Sequence, residues 1–276
     1  MKNAASNIPE DSPVAESPQT AQHKIIYEQP LNERIRAFLR LEALFQQVRY
    51  HLSGNNAWDS RAALSGFLEI LDIFTRSDLK TEVMKELDRH TVNLARLEKN
   101  PQVDRQQLAL ILDEMDTLID QLHNLGGQLI APLKDHELIN NIQQRNSIPG
   151  GSCDFDLPTY HFWLQQPAEK RLHDIASWLS HFDAIAQSIK LILRLTRDSN
   201  LFTSELAKKG FWQKNLDANS PCQMVRVALP TDSPFFAEIS GGRHRFSVRF
   251  LQQISPQERP CKADQDISFE ISCCII

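Results

Sequence analysis

The sequence predicts an α+β fold: a helical bundle domain, then a C-terminal antiparallel β-strand domain that also takes in the first strand. Three observations carry this. From Leu31 to about residue 198, apolar residues recur at three- and four-residue spacing. Past Gly210 they alternate with polar ones in short runs divided by Pro, Gly, Ser and Asp. The run KIIYEQ (24–29) also reads as a strand, and with no local partner it is expected to join the C-terminal sheet.

Taken in order, residues 1–22 are rich in Ser, Pro, Ala and Glu and read as a disordered tail; lacking an apolar core, they are not a signal peptide. Residues 23–30 are the first strand, and Pro30 is placed at the first turn of a helix, where its missing N–H costs nothing. That helix carries Leu31, Ile35, Phe38, Phe45, Val48 and Leu52 and stops at Ser53-Gly54-Asn55-Asn56. A second runs through AWDSRAALSGFLEILDIF, a third over about 78–98, and a fourth over about 104–124 with Gly126-Gly127 as a left-handed C-cap. A fifth covers 135–146. Pro158 opens a helical turn, and 168–180 and 183–198 are two more helices. The last, with Ile185, Ile189, Leu191, Ile192, Leu193 and Leu195, reads as the central helix of the bundle. MVRVAL, FAEIS, RFSVRFL and ISFEIS read as one antiparallel sheet. The boundaries expected are a helical domain over 31–210 and a β-strand domain over 211–276.

At 276 residues, 41% hydrophobic and 24% charged, the chain can bury a sizeable core. A net charge of −5 argues against a general nucleic-acid binder, although a local basic patch can hide in such a sum. Five scattered cysteines without a CxxC pair suit a reducing, cytoplasmic setting and point to neither a disulfide framework nor a zinc site. No cofactor is expected. No apolar run reaches the roughly 18 residues of a membrane span. Cys273-Cys274-Ile275-Ile276 formally matches a prenylation box, but it continues the alternation of a paired strand.

The stretch SIPGGSCDFDLPTYHFWL (147–164) offers three catalytic readings, and each fails on spacing. Pro149-Gly150-Gly151 lacks the GxxxxGK[ST] pattern of a phosphate loop. Cys153 and His161 lack the flanking signature of a thiol enzyme, and Asp154 with Asp156 is a lone DxD. The stretch reads instead as a junction, with CDFDL extended and Asp156-Leu157-Pro158 capping the next helix.

Charge placement is more informative. In Arg243-His244-Arg245-Phe246-Ser247-Val248-Arg249-Phe250 alternate side chains face opposite ways, so Phe246, Val248 and Phe250 point to the core. Arg243, Arg245 and Arg249 then share the other face, where they repel unless something anionic lies over them. On the first helix, Arg36 and Arg40 lie one turn apart, away from the apolar stripe, with Arg34 and Arg49 near and Glu33 and Glu42 available to pair with some of them. Arg76 sits at the end of the second helix, where a cation complements the helix dipole.

YEQPLNERIRAFLRLEALFQQ, LDIFTRSDLKTEVMKELDR, SIPGGSCDFDLPTYHFWLQ, ISGGRHRFSVRFL and ISFEISCC together resemble the ZapD family of bacterial division proteins, over roughly residues 25–274. The resemblance implies a helical and a β-strand domain and a homodimer. It also implies binding to the C-terminal tail of the tubulin-like GTPase FtsZ, cross-linking of FtsZ filaments at the mid-cell division site, and no catalysis. It places Arg36, Arg40 and Arg76 in a basic cleft and adds His161 as a further donor beside a structural reading of that histidine. Where relatives can carry an arginine before the short helix leading to the IPGG turn, this chain has His136-Glu137, which makes that wall less basic. The alternative function is binding of nucleic acid or anionic lipid by the same surface. Neither is the expected partner, because interleaved exposed aromatics and a continuous basic run are missing.

Overall fold

The computed structural model describes residues 23–125, 130–146, 148–217, 222–242 and 244–275. The N-terminal tail and the Gly126-Gly127 cap lie outside them. β1 (Lys24–Pro30) leads into α1 (Glu33–His51), α2 (Ala57–Arg76), α3 (Leu79–Ala95), α4 (Arg105–Asn124), α5 (Ala131–Lys134), α6 (Glu137–Arg145), α7 (Pro158–Leu164), α8 (Ala168–Ser180) and α9 (Asp183–Asp198). Then follow β2 (Thr203–Ala207), β3 (Phe211–Asn215), β4 (Cys222–Pro230), β5 (Phe235–Gly241), β6 (Arg245–Gln252), β7 (Cys261–Lys262) and β8 (Ile267–Ile275). The fold is α+β, and β1 does join the C-terminal strands, pairing antiparallel with β4.

Five local expectations are corrected. Pro30 ends β1 instead of opening α1. As an edge strand of its sheet, β1 tolerates a residue with no N–H, and Asn32 caps the helix by accepting from Ile35 N at 2.9 Å. The CDFDL segment is a succession of turns, not an extended run: Gly151 N–H donates to Ile148 O, Cys153 N–H to Gly150 O, and the Asp156 and Leu157 N–H groups to Cys153 O. Asp156 does not cap α7, because its carboxylate accepts from Arg145 Nη1 at 3.3 Å; Leu157 takes the cap position without a side-chain bond. The strands form two sheets, not one. The helices end at Asp198 and β2 starts at Thr203, ahead of the change of texture read at Gly210.

The four-stranded sheet has the order β1-β4-β8-β2, and the three-stranded sheet β3-β6-β5 is extended by β7 on β6. Strand alternation makes the larger sheet a middle layer. Val225, Val227 and Leu229 of β4 and Phe269, Ile271 and Cys273 of β8 pack with Phe246, Val248 and Phe250 of the smaller sheet. Met224 and Cys274, on the reverse face, join the helical core. α9 takes the central position, packing on α1, α3, α4 and β8. Cys273 and Cys274 are buried within a paired strand.

Two ion-pair clusters fix the helices. Arg197, at the end of α9, donates to both oxygens of Glu28 on β1 (2.9 and 2.9 Å) and of Glu42 on α1 (2.8 and 2.7 Å). Arg226 of β4 lies 3.0 Å from Glu28, donates to Arg197 O at 3.3 Å and covers the Phe202 ring at 5.1 Å. Hydrogen bonds that the guanidinium donates to Glu42, and then to Glu28, outweigh burial and hold Arg197 more firmly protonated. In the second cluster Glu86 of α3 is fully buried. Arg34 of α1 reaches it at 2.5 Å and Glu82 at 2.8 Å, and Arg89 also pairs with Glu86. Burial raises the Glu86 pKa, but Arg89 and Arg34 together hold it below the usual carboxylate value. His90 beside it is 2% exposed, its Nε2 has no hydrogen-bond partner among the described residues, and burial lowers its pKa to about 4.

Arg197→Met leaves two partly buried carboxylates without their main cation and is expected to cost about 2–4 kcal/mol, read from denaturant unfolding. His90 gives a pH signature. The unfolded side chain takes a proton near pH 6.5 and the folded one only near 4, so its contribution is present above about pH 6.5 and lost as pH falls toward 4. The loss amounts to at most about 3 kcal/mol. Stability curves of wild type and His90→Leu should diverge in that window; parallel curves would show that the ring titrates normally.

Candidate partner-binding surface

β6 carries the first basic group. Phe246, Val248 and Phe250 are buried, as the alternation requires, and Arg245 and Arg249 are exposed on the opposite face with Ser247 between them. Arg243 lies outside the described residues. The register sets Asn215, Gln213 and Phe211 of β3 against Arg245, Ser247 and Arg249 on one side. On the other side Ser240 and Glu238 of β5 face Ser247 and Arg249. The product is a shallow groove floored by Phe211, Gln213, Ser240, Arg245, Ser247 and Arg249. Its only described counter-charge is Glu238, 4.0 Å from Arg249 with both side chains about half exposed. A pair this long and this wet contributes within about 1 kcal/mol, and Arg245 forms no described ion pair.

α1 presents the second group unevenly. Arg40 is exposed and forms no described ion pair, whereas Arg36 is partly covered and held by Glu33 at 3.1 Å. Glu42 faces the other way, toward Arg197, so it does not neutralise these arginines. Arg34 is spent on Glu82 and Glu86. Arg76 is exposed at the last turn of α2 and pairs with Asp72 at 2.9 Å. Phe74 and Ser77, on either side of it in sequence, line an open cavity of about 770 Å³ between α2, α3 and α5, where Lys80 and Lys134 are matched by Asp78 and Asp135.

His161 is exposed on α7 while its neighbours Tyr160 and Trp163 are buried, Trp163 donating to Asp174 at 2.9 Å. Phe162, next to it in the helix, is 68% exposed. His136, by contrast, is structural, capping α6 and meeting Trp178 edge-on at 5.0 Å. Cys153 is exposed and unpaired, Asp154 accepts from Phe155 N–H at 3.0 Å, and Asp156 is bound to Arg145. Among the described residues no group of three His, Cys, Asp or Glu could hold a metal ion, and no helix is long and apolar enough to cross a membrane.

The two arginine groups are not brought together within one chain. Arg245 and Arg249 lie on the outer face of the three-stranded sheet, and the four-stranded sheet stands between that layer and the helices carrying Arg36, Arg40, Arg76 and His161. Sequence reasoning missed β3, which supplies Phe211 and Gln213 to the groove, because FWQKN carries no clear alternation. It also missed Arg61, which lies over Trp58 (5.5 Å) and Tyr160 (5.0 Å) and donates to Ser152 Oγ at 3.3 Å. Nothing in the spacing marks Arg61; its partners meet it only in the folded chain.

A family model described as ZapD, cell division protein, matches residues 39–249. The chain is 42% identical to the cell division protein ZapD of Methylococcus capsulatus over 254 residues, covering 92% of this chain and 99% of that protein. The corresponding protein of Cupriavidus necator is 38% identical over 251 residues, 91% of this chain and 99% of its own. That of Coxiella burnetii is 35% identical over 253 residues, 91% and 98% respectively. Relatives of this identity, matched along almost their whole length, leave one assignment: the chain belongs to the ZapD family of cell division proteins.

Proposed function

We propose that this chain binds the C-terminal tail of FtsZ through its exposed arginines and, as a homodimer, cross-links FtsZ filaments at the division site. The observation that carries the reading is the outer face of β6. Arg245 and Arg249 stand on one strand with a single distant counter-charge among the described residues, a cost that an anionic partner removes. Arg40 on α1 is a second cation with no described ion pair, and exposed His161 on α7 adds a donor beside exposed Phe162. Carboxylates of a flexible tail can reach either surface, each well-formed charge-assisted contact contributing about 1–3 kcal/mol. Two chains joined as a dimer present duplicate sites, so one assembly holds two filaments by avidity. The role is architectural and involves no catalytic step or cofactor. The domains act in it as a helical unit and a β unit, each bearing one arginine group.

Co-sedimentation with FtsZ filaments tests this. Binding is expected to fall as salt is raised past 0.1 M, where the screening length drops below about 10 Å. Arg245→Glu or Arg40→Glu should weaken it by roughly ten-fold or more, with folding unchanged by circular dichroism. Binding indifferent to salt and to both reversals would sink the electrostatic reading. Retention of generic DNA or anionic vesicles in place of FtsZ would transfer the surface to the alternative partner.

A further inference from the structure

We propose that the N-terminal tail, residues 1–22, folds back onto the arginine groove of β6 in its own chain and competes there with an external anionic partner. The inference rests on the reading of that groove as an anion-binding face. The groove has cations to be matched. Arg245 forms no described ion pair, Arg249 has only Glu238 at 4.0 Å, and His244 adds a third donor-bearing side chain to the lining. The groove encloses about 550 Å³, room for the side chains of a short segment. The tail has the complementary charge: Glu10, Asp11 and Glu16 are set against one basic side chain, Lys2. Pro9, Pro13 and Pro18 recur too often for a paired strand, so carboxylates rather than backbone make the contact.

Position and length let the two meet. The carbonyl of His23, where the described chain begins, accepts from the Thr231 N–H at 3.0 Å and from the Thr231 hydroxyl. Thr231 opens the turn into β5, which packs beside β1 and forms one wall of the groove. Along that wall, Ser240 lies about 17 Å from Phe235 at strand spacing. The chain from Glu16 to His23 can span up to about 23 Å, and from Glu10 up to about 43 Å. Glu16 is thus long enough in reach for Arg249, opposite Glu238, and Glu10 and Asp11 for Arg245 at the far end. A tether of this kind holds the carboxylates at an effective concentration on the order of millimolar, so contacts too weak for a free peptide fill the groove. An external segment then binds with its affinity reduced to the fraction of chains whose groove is open.

Photo-crosslinking of the full chain tests the contact with no partner present. With p-benzoylphenylalanine in place of Val14, between the acidic positions, ultraviolet light should join the tail to peptides of β3, β5 or β6, in a product that migrates as a single chain. The yield should fall by roughly five-fold or more in about 0.5 M salt. It should fall likewise with Arg245→Glu plus Arg249→Glu and, on an unaltered groove, with Glu10→Gln, Asp11→Asn and Glu16→Gln together. Those three tail substitutions should also tighten binding of a fluorescent hexaglutamate peptide by roughly three- to ten-fold. Cross-links to the helices or to a second chain, or yields and affinities indifferent to the tail charges, would overturn the proposal. FtsZ takes part in neither measurement, so a failure here leaves the co-sedimentation result standing, and a failure to bind FtsZ leaves the cross-link standing.

Discussion

Arg197 is the point on which the architecture turns. Its guanidinium joins the end of α9 to the strand β1 and to the middle of α1, three segments more than 150 residues apart at the extremes, and Arg226 ties the same carboxylate to β4. A helix bundle and a β sandwich can pack on each other in many orientations, because apolar contact is non-directional. A fork with two carboxylates is not: both oxygens of each acid are engaged at hydrogen-bonding distance. The fixed geometry then propagates. Only two residues separate β1 from α1, so clamping Glu28 and Glu42 together sets the direction in which α1 leaves the sheet and hence where Arg36 and Arg40 point.

The same cluster shows why counting charges along a helix misleads. Glu42 shares its helix with Arg36 and Arg40, yet it is turned inward to Arg197, and Arg34 is turned inward to Glu86. What remains outside on α1 is Arg36, paired with Glu33, and Arg40, which forms no ion pair among the described residues. In a chain of net charge −5 positive surface is therefore a matter of local placement: the junctions take in carboxylates and arginines alike, and which arginines stay outside is set by the fold.

This bears on what the sequence reveals. Long helices were legible because burying one face demands the period: Ile35, Phe38, Phe45 and Val48 are all buried, and so are Ile185, Ile189, Ile192 and Leu193. The partnership of β1 with the C-terminal strands was legible by elimination, and the outward face of β6 by period two. Short or one-sided elements were not. TSELA and FWQKN bury too few side chains to leave a pattern, so β2 and β3 went unseen and two sheets read as one. The 148–157 segment misled because its turns are held by backbone bonds, which no side-chain pattern records. At the candidate site the residue types were legible, while their engagement was not: whether an arginine is free or bound depends on contacts such as Arg34 to Glu86, 52 positions away.

The layer order constrains how a partner can engage. A tail in contact with Arg245 and Arg249 lies on the outside of the smaller sheet, and one in contact with Arg40 or His161 lies beyond the middle sheet, on the helices. A short linear segment bridging both would have to wrap around the sandwich, losing conformational freedom with each ordered residue at about 1–2 kcal/mol of backbone entropy apiece. Two independent contacts, or a cleft completed across a dimer, avoid that cost. In the first arrangement each chain offers two weak sites whose effects add; in the second, the sites exist only when two chains associate. Either way the rigid β6 strand keeps its arginines at fixed spacing, while the α1 arginines are positioned only as firmly as the Arg197 clamp allows. The junction that holds the fold therefore also governs the helical half of the proposed recognition surface.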